Sequence, residues 1–213
     1  MKPLIWDSPE GYLHKYWMDY NWRPMEERTS TVIFMQGKLL PCEDIGGVKC
    51  SLDPKKYDLV FASEVKPEVF TKFDCLPNNA TGMPPLVNQK VLDILNKFCP
   101  DDIQAFPATI IPELGAKHGF ENHDYWVINI AKLVDAINLD RSEVEFFDPD
   151  PRIEDAIRTI KKLAFIDSEK FTKPLIARMS KAPLKIISPS LAQAFKDANV
   201  TGVEFIEDKD YRR

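Results

Sequence analysis

Residues 85–111, PLVNQKVLDILNKFCPDDIQAFPATII, decide the fold class of this chain, because two kinds of element follow each other within them. Apolar residues recur at helical spacing over Leu86–Phe98, and Pro85 stands near the expected first turn. This pattern predicts an amphipathic helix. The apolar segment Ala105–Ile111 predicts a strand. The stretch therefore indicates a chain that mixes helices and strands.

Similar elements fill the rest of the second half. Strands are predicted at Tyr125–Ile130, Leu175–Met179, Leu184–Ile187 and Gly202–Ile206. Helices are predicted at Ile153–Leu163, from apolar residues at i, i+4, i+7 and i+10, and at Pro189–Asn199, where Ser188 is the expected N-cap. We expect an α+β fold with a mixed sheet of about five or six short strands and three main helices.

The N-terminal part is rich in aromatic residues. Three of the four tryptophans lie within the first 22 residues: Trp6, Trp17 and Trp22. Gly11–Trp22 places three tyrosines on one face of a predicted helix, whereas Thr31–Met35 and Tyr57–Ala62 predict strands. We expect a β-rich N-terminal part with an aromatic cover, and this cover either packs on the body of the protein or docks a partner.

The best internal boundary lies in Thr71–Pro85, where Pro, Asn and Gly residues predict a loop. We expect an N-terminal β-rich subdomain over residues 1–80 and a C-terminal α+β domain over residues 81–213, packed as one unit.

Charge and hydropathy exclude several kinds of partner. A net charge of −5 has the wrong sign for a nucleic-acid-binding protein. The longest apolar runs are only a few residues, so no membrane-spanning helix is predicted, and the N-terminal MKPLIWDSPE predicts no cleaved secretory signal. The four cysteines contain no Cys-x-x-Cys pair. We expect free, mostly buried thiols in the cytoplasm and no zinc knuckle.

The charges are unevenly distributed along the second half. Asp140–Asp155 contains seven acids and two bases, whereas Arg158–Lys185 contains eight bases and two acids. Apolar residues are interspersed in both blocks, which is typical of solvated faces. The alternative is that the acidic block meets a basic partner.

The motifs of common catalytic sites are missing. No Gly-x-Ser-x-Gly elbow, phosphate-binding loop or dinucleotide fingerprint occurs. His118 and His123, with Glu121 and Asp124, form a candidate metal or active site, although loop histidines usually face solvent. The acids of residues 148–155 fit the start of the helix predicted at Ile153–Leu163. We therefore predict no catalytic residue, cofactor or metal, and a protein that presents a surface.

Six segments carry a resemblance to a known family. They are Pro84–Leu95, Asp102–Ala108, Tyr125–Ile130, Val134–Glu143, Ile186–Ala192 and Thr201–Phe205. Their order is similar to that of immunity family eleven of bacterial polymorphic toxin systems, first catalogued as a domain of unknown function. The resemblance covers about residues 84–206. Asn138 and Pro189 depart from the family pattern, which has Asp and Glu there.

The resemblance implies an immunity protein that binds a cognate secreted toxin stoichiometrically in the cytoplasm, without chemistry of its own. Aromatic residues and arginine dominate interface energetics, and acidic residues complement a basic toxin. The partner-binding residues expected on these grounds are Trp17, Trp22, Arg23, Asp148, Asp150, Glu154 and Asp155. Two alternatives stay open: an adaptor or interaction domain for a secreted effector, and an enzyme of unrecognised type with its site at the histidine cluster.

Overall fold

The computed structural model describes residues 1–9, 72–76, 84–110, 121–147 and 156–211, together with the backbone alone of residues 21–22, 59–63 and 111–112. The strands of these residues are β1 (Leu4–Asp7), β2 (Asn21–Trp22), β3 (Leu59–Ser63), β4 (Cys75–Leu76), β5 (Leu86–Asn88), β6 (Ile103–Pro112), β7 (Asn122–Ile130), β8 (Leu133–Val134), β9 (Glu143–Phe146), β10 (Ile157–Lys162), β11 (Ile176–Met179), β12 (Lys185–Ile187) and β13 (Glu204–Ile206). The α-helices in the same residues are α1 (Gln89–Phe98) and α2 (Pro189–Asp197).

The expected α+β class is confirmed, but two α-helices replace the predicted three within the described part of the chain. The predicted helix Gly11–Trp22 and strand Thr31–Met35 lie outside the described residues, apart from the backbone of residues 21–22, which forms β2.

The larger sheet has six strands in the order β2-β3-β6-β7-β5-β4. β3 and β6 run parallel, and the other neighbours run antiparallel, so the sheet is mixed as expected. β6 and β7 form its long central pair, which confirms the strands predicted at Ala105–Ile111 and Tyr125–Ile130. The strand predicted at Tyr57–Ala62 is confirmed as β3.

A second sheet has five strands in the order β13-β1-β12-β11-β8. It confirms the three strands predicted after residue 174, with ends shifted by one or two residues. β1 lies between the C-terminal strands, where Ile5 pairs with Ile186 on one side and Ile206 on the other. The first residues of the chain therefore complete a sheet made mostly from its last third.

Both helices begin at a polar cap. The Asn88 side chain accepts a hydrogen bond from the N–H of Val91, and the Ser188 hydroxyl accepts one from the N–H of Leu191, each at 3.3 Å. These bonds satisfy N–H groups that have no partner inside the helix. α1 begins three residues later than predicted, because Leu86–Asn88 pairs with β7 as β5. Neither helix has the length and hydropathy needed to cross a membrane.

The helix predicted at Ile153–Leu163 is wrong. Residues 153–155 lie outside the described part, and Ile157–Lys162 forms β10, which pairs antiparallel with β9. Two register shifts, between Ile157 and Thr159 and between Ile160 and Lys162, each leave one extra residue on β10. At each shift, three residues instead of two separate side chains that point to the same face of the strand. The spacing of the apolar residues therefore resembles that of a helix. The dipole explanation for the acids before Ile157 is lost with that helix.

The five-stranded sheet separates two hydrophobic cores. Neighbouring residues of one strand point to opposite faces, so Trp6 enters one core and Ile5 the other. Trp6 packs edge-on against Phe195 of α2, with ring centroids 5.3 Å apart. This core also holds α1 and the inner face of the larger sheet. The second core lies under β9 and β10, and Phe165 and Phe171 are fully buried in it.

Part of the predicted loop Thr71–Pro85 is buried structure. Phe73, Cys75 and Leu76 are buried, and the last two form β4. Residues 77–83 lie outside the described part. The division of the chain at residue 80 stays a prediction.

Asp74 ties this segment to two distant elements. Its carboxylate accepts hydrogen bonds from the Asn88 side chain and from the N–H of Thr201, both at 2.8 Å. The ammonium of Lys90 lies 3.0 Å from the same carboxylate. Burial alone would raise the pKa of Asp74, but these hydrogen bonds hold it below its ordinary value. Asp74 therefore holds α1 and the approach to β13 together.

Candidate functional site

The β9–β10 ribbon is the most distinctive surface feature of the described chain. Its two strands form a sheet of their own. The N–H of Phe147 donates to the carbonyl of Ala156 at 2.9 Å, which closes the pairing beyond the end of β9. Residues 148–155 connect these two positions in the chain, and they lie outside the described residues.

The ribbon brings together the acidic and basic blocks of the sequence. Glu145 on β9 pairs with Lys161 on β10, with 2.5 Å between carboxylate oxygen and ammonium nitrogen. The hydrogen bond from Lys161 lowers the pKa of Glu145, and Glu145 in turn raises the pKa of Lys161. Both side chains are exposed, so the pair contributes little to stability. The acidic block is therefore partly neutralised on the ribbon itself.

Two exposed aromatic side chains lie at the end of β9. Phe146 is 43 % exposed and Phe147 is 57 % exposed. Sequence reasoning missed both. The available signal was the pair Phe146-Phe147: adjacent residues of a strand point to opposite faces, so one of two consecutive phenylalanines is expected to point away from the core.

A polar cavity of ≈ 630 Å³ lies beside the end of the ribbon where β9 begins and β10 ends. Its lining includes five bases and three acids: Lys2, Arg141, Lys161, Lys162, Lys209, Asp140, Glu143 and Asp208. Lys2 lies 2.7 Å from Asp208, which also accepts the N–H of Phe165 at 2.7 Å. Burial would raise the pKa of Asp208, but these two donors lower it overall. Asp208 therefore stabilises the fold. The other charged residues that line the cavity are five bases and two acids.

Ser142 precedes β9 and lines this cavity, and its hydroxyl is already engaged. Ser142 Oγ accepts the N–H of Ala164 at 2.9 Å and lies 3.2 Å from its carbonyl oxygen. These contacts hold the start of β9 against the chain that follows β10. The geometry assigns Ser142 a structural role.

The histidine cluster is only partly described. His123 Nδ1 lies 3.1 Å from Thr109 Oγ1, and Nε2 lies 3.6 Å from a carboxylate oxygen of Glu121. The side chain of Asp124 turns instead to the amide of Asn122, at 3.1 Å. His118 lies outside the described residues. In the parts of the chain with described side chains, no three His, Cys, Asp or Glu residues form a group that could hold a metal ion.

The side chains of all seven predicted partner-binding residues lie outside the described part of the chain. Trp17, Arg23, Asp148, Asp150, Glu154 and Asp155 lie outside the described residues. The backbone of Trp22 pairs with Phe61 in the larger sheet. The four acids belong to the segment that joins β9 to β10, directly after Phe147. They are therefore close in sequence to the exposed aromatic pair.

Several residues that carry the family resemblance serve the fold. Ser188 caps α2 and also accepts the N–H of Leu175 at 3.0 Å. Thr201 binds Asp74, and Gly202 has a φ of +81° that a side chain rarely adopts. These residues of the motifs contribute to the stability of the fold.

The described geometry is that of an α+β protein with a two-stranded ribbon that has two exposed phenylalanines at one end. Comparison with known families then identifies it more closely: the Immunity protein family (Imm11) matches residues 53–210, about three quarters of the chain. The chain belongs to this family. The match confirms the resemblance found over residues 84–206 and extends it to residue 53. No curated protein matches the chain.

Proposed function

We propose that this protein neutralises a cognate secreted bacterial toxin by binding it directly, one to one, in the cytoplasm, and that it covers the toxic domain without a chemical step. Membership of the Imm11 immunity family carries this proposal. The net charge of −5 supports a basic toxin, because complementary charge speeds encounter and aids specificity. The toxin belongs to a polymorphic toxin system in this proposal.

The experiment co-expresses this protein with the candidate toxic domain, which is the C-terminal domain of the protein encoded by the neighbouring gene. Co-expression should restore growth of cells that produce the toxic domain, and size-exclusion chromatography should give a 1:1 complex. Protection without a complex would contradict direct binding. A complex with secretion components in place of the toxic domain would instead favour the adaptor interpretation.

We further propose that the aromatic N-terminal segment and the acidic segment after Phe147 contribute to this interface. Replacing Trp17 and Trp22 with alanine should weaken binding, because tryptophan side chains dominate interface energetics. Arg23 is the neighbouring residue expected to contribute in the same way. Charge reversal at Asp150 and Glu154, which lie with Asp148 and Asp155, should slow association. Unchanged affinity in both sets of variants would remove this assignment.

The enzymatic alternative has a separate test. His118 and His123 are replaced by alanine together, with Glu121 and Asp124 unchanged. Because direct binding needs no proton transfer or metal at this cluster, we expect full protection of the toxin-producing cell. Loss of protection with an intact complex would indicate a catalytic step instead.

A further inference from the structure

The two strands of the β9–β10 ribbon carry more bases than acids, although the whole chain has a net charge of −5. β9 contains two acids, Glu143 and Glu145. β10 contains three bases, Arg158, Lys161 and Lys162, and all five side chains are exposed. Acids and bases that face each other across two strands are ordinary on a protein surface. A charge without such a partner is the feature that points to a ligand.

Arg158 is the base that has no acid opposite it. Lys161 pairs with Glu145, and Lys162 lies opposite Glu143 in the strand register. Arg158 is the extra residue at the first register shift of β10, so no residue of β9 faces it directly. The hydrogen bond from Lys161 is the main cause of the lowered pKa of Glu145, and the charge of Arg158 adds a smaller effect. Among the residues with described side chains, Arg158 forms no ion pair.

The register places Arg158 beside the two exposed phenylalanines. It directly follows Ile157, which lies opposite Phe146. The N–H of Phe147 donates to the carbonyl of Ala156, two residues before Arg158, at 2.9 Å. Arginine and aromatic residues are enriched at the centres of protein interfaces, where they contribute most of the binding energy. An exposed arginine next to two exposed aromatic rings is therefore typical of a docking surface.

The end of the ribbon that carries Arg158 is held on the second core. Ile157 is buried in that core, and its N–H donates to the carbonyl of Lys181 at 2.8 Å. Ile160 packs against the same core. The register shift between the two isoleucines allows both to face the core while Arg158 stays exposed. Because an ordered surface loses little conformational entropy on binding, Arg158 is presented at low entropic cost.

The charges of the ribbon favour an acidic group as the occupant. A guanidinium pairs best with a carboxylate, whose two oxygens accept its parallel N–H donors. The ribbon of a second copy offers no free carboxylate, because Glu145 is bonded to Lys161 and Glu143 lies opposite Lys162. A carboxylate of the toxic domain, beside an apolar patch, complements both the guanidinium and the phenylalanine rings. A toxin that is basic overall can carry this carboxylate at one point of its surface.

We propose that Arg158 binds a carboxylate of the toxic domain and that Phe146 and Phe147 contact an apolar patch beside that carboxylate. This inference rests on the proposed function and names one surface that performs it. Neighbouring residues complete a total buried area of at least about 1,200 Å².

The first test measures binding of the toxic domain by titration calorimetry. It compares Arg158→Glu with a control, Lys196→Glu, which replaces another exposed base and changes the net charge equally. Lys196 lies on α2, whose core is separated from the second core by the five-stranded sheet. Arg158→Glu should weaken binding at least about tenfold, and the control less than about twofold. Circular dichroism and thermal unfolding establish that each variant is folded.

A second measurement identifies the chemistry of the occupant. Arg158→Lys places a primary amine at this position, and a carbodiimide couples a primary amine to a carboxylate in contact with it, with loss of water. The expected product is an amide bond between position 158 and an aspartate or glutamate of the toxic domain, located by peptide mass spectrometry. This substitution keeps the positive charge, so the result does not depend on the stability of the charge-reversal variant.

The outcomes separate the two proposals. If the wild-type protein binds the toxic domain and Arg158→Glu binds equally well or more tightly, the Arg158 assignment is overturned and the proposed function stands. If position 158 is coupled only to carboxylates of this chain, the assignment is again overturned. If the wild-type protein neither binds nor protects, both proposals fail.

Discussion

Phe146 and Ile157 face each other across the β9–β10 ribbon, yet Phe146 is 43 % exposed and Ile157 only 3 % exposed. Cross-strand partners share one face of a sheet, so their difference comes from what lies beneath them. The second core extends under Ile157 and ends before Phe146. One member of the pair therefore stabilises the fold, and the other is available at the surface.

This difference predicts opposite roles for the two side chains. Ile157→Ala should lower the free energy of unfolding by about 2–5 kcal/mol, because it leaves a cavity in a packed core. Phe146→Ala should cost less than half of that loss, because water already covers much of the ring. Urea unfolding followed by circular dichroism measures both. Equal losses would show that Phe146 belongs to the core.

Gly202 should not accept a side chain. Its φ of +81° is unfavourable for other residues, and a Cβ there would overlap the carbonyl oxygen of Cys75. Gly202→Ala should therefore lower the unfolding free energy by at least about 2 kcal/mol. Thermal unfolding provides the measurement.

Asn199 supplies the control for this prediction. It has a φ of +50° two residues after the end of α2, where the N–H of Val200 donates to the carbonyl of Phe195 at 3.0 Å. Glycine favours this position at the end of a helix. Asn199→Gly should leave the stability unchanged or raise it. Similar losses in both variants would argue against backbone strain as the cause.

Asp74→Asn should reduce stability at neutral pH and weaken its dependence on acid. The pKa of Asp74 is lower in the folded protein than its ordinary value of 3.8. Such a carboxyl stabilises the fold above its unfolded-state pKa, and this contribution disappears as the pH falls through the folded-state pKa. Unfolding in urea at neutral pH and over about pH 5 to pH 2 measures the effect.

The matched control is Asp93→Asn, at an exposed carboxylate on α1. Because this carboxylate is exposed, Asp93→Asn should leave the stability at neutral pH nearly unchanged. The curve of Asp74→Asn should converge with the wild-type curve in acid. A constant separation of the Asp74→Asn curve at every pH would show that its charge contributes nothing.

Cys99 should resist alkylation in the folded protein. Burial raises the pKa of its thiol to about 12, and the nearby charge of Asp102 acts in the same direction. Since the thiolate is the reactive form, both its small population and its burial slow the reaction with iodoacetamide. Peptide mass spectrometry should find Cys99 modified only on unfolding in urea. Rapid modification in native buffer would contradict its buried position.

Local sequence patterns predicted the elements whose formation depends on residues close to them in the chain. α2 follows from Ser188 as cap and Pro189 in the first turn, both of which act within a few residues. α1 was predicted from the helical spacing of its apolar residues, although Leu86–Asn88 was wrongly included. Helical spacing could not reveal that these three residues pair with β7.

The candidate site was less accessible to sequence reasoning. Asp148, Asp150, Glu154 and Asp155 were identified by charge alone, and their place in the interface stays a prediction. The exposure of Phe146 and Phe147 depends on where the second core ends, and no local pattern records that boundary.

The sequence by itself determined the α+β class, the two helices, the central strands and the membership of an immunity family. These properties depend on residues that are neighbours in the chain or on the order of motifs. Only the tertiary structure decided that β1 lies between β12 and β13, and that Ile157–Lys162 is a strand. Strand pairing joins residues that are distant in sequence, and bulges change the period of a strand, so neither result follows from local spacing.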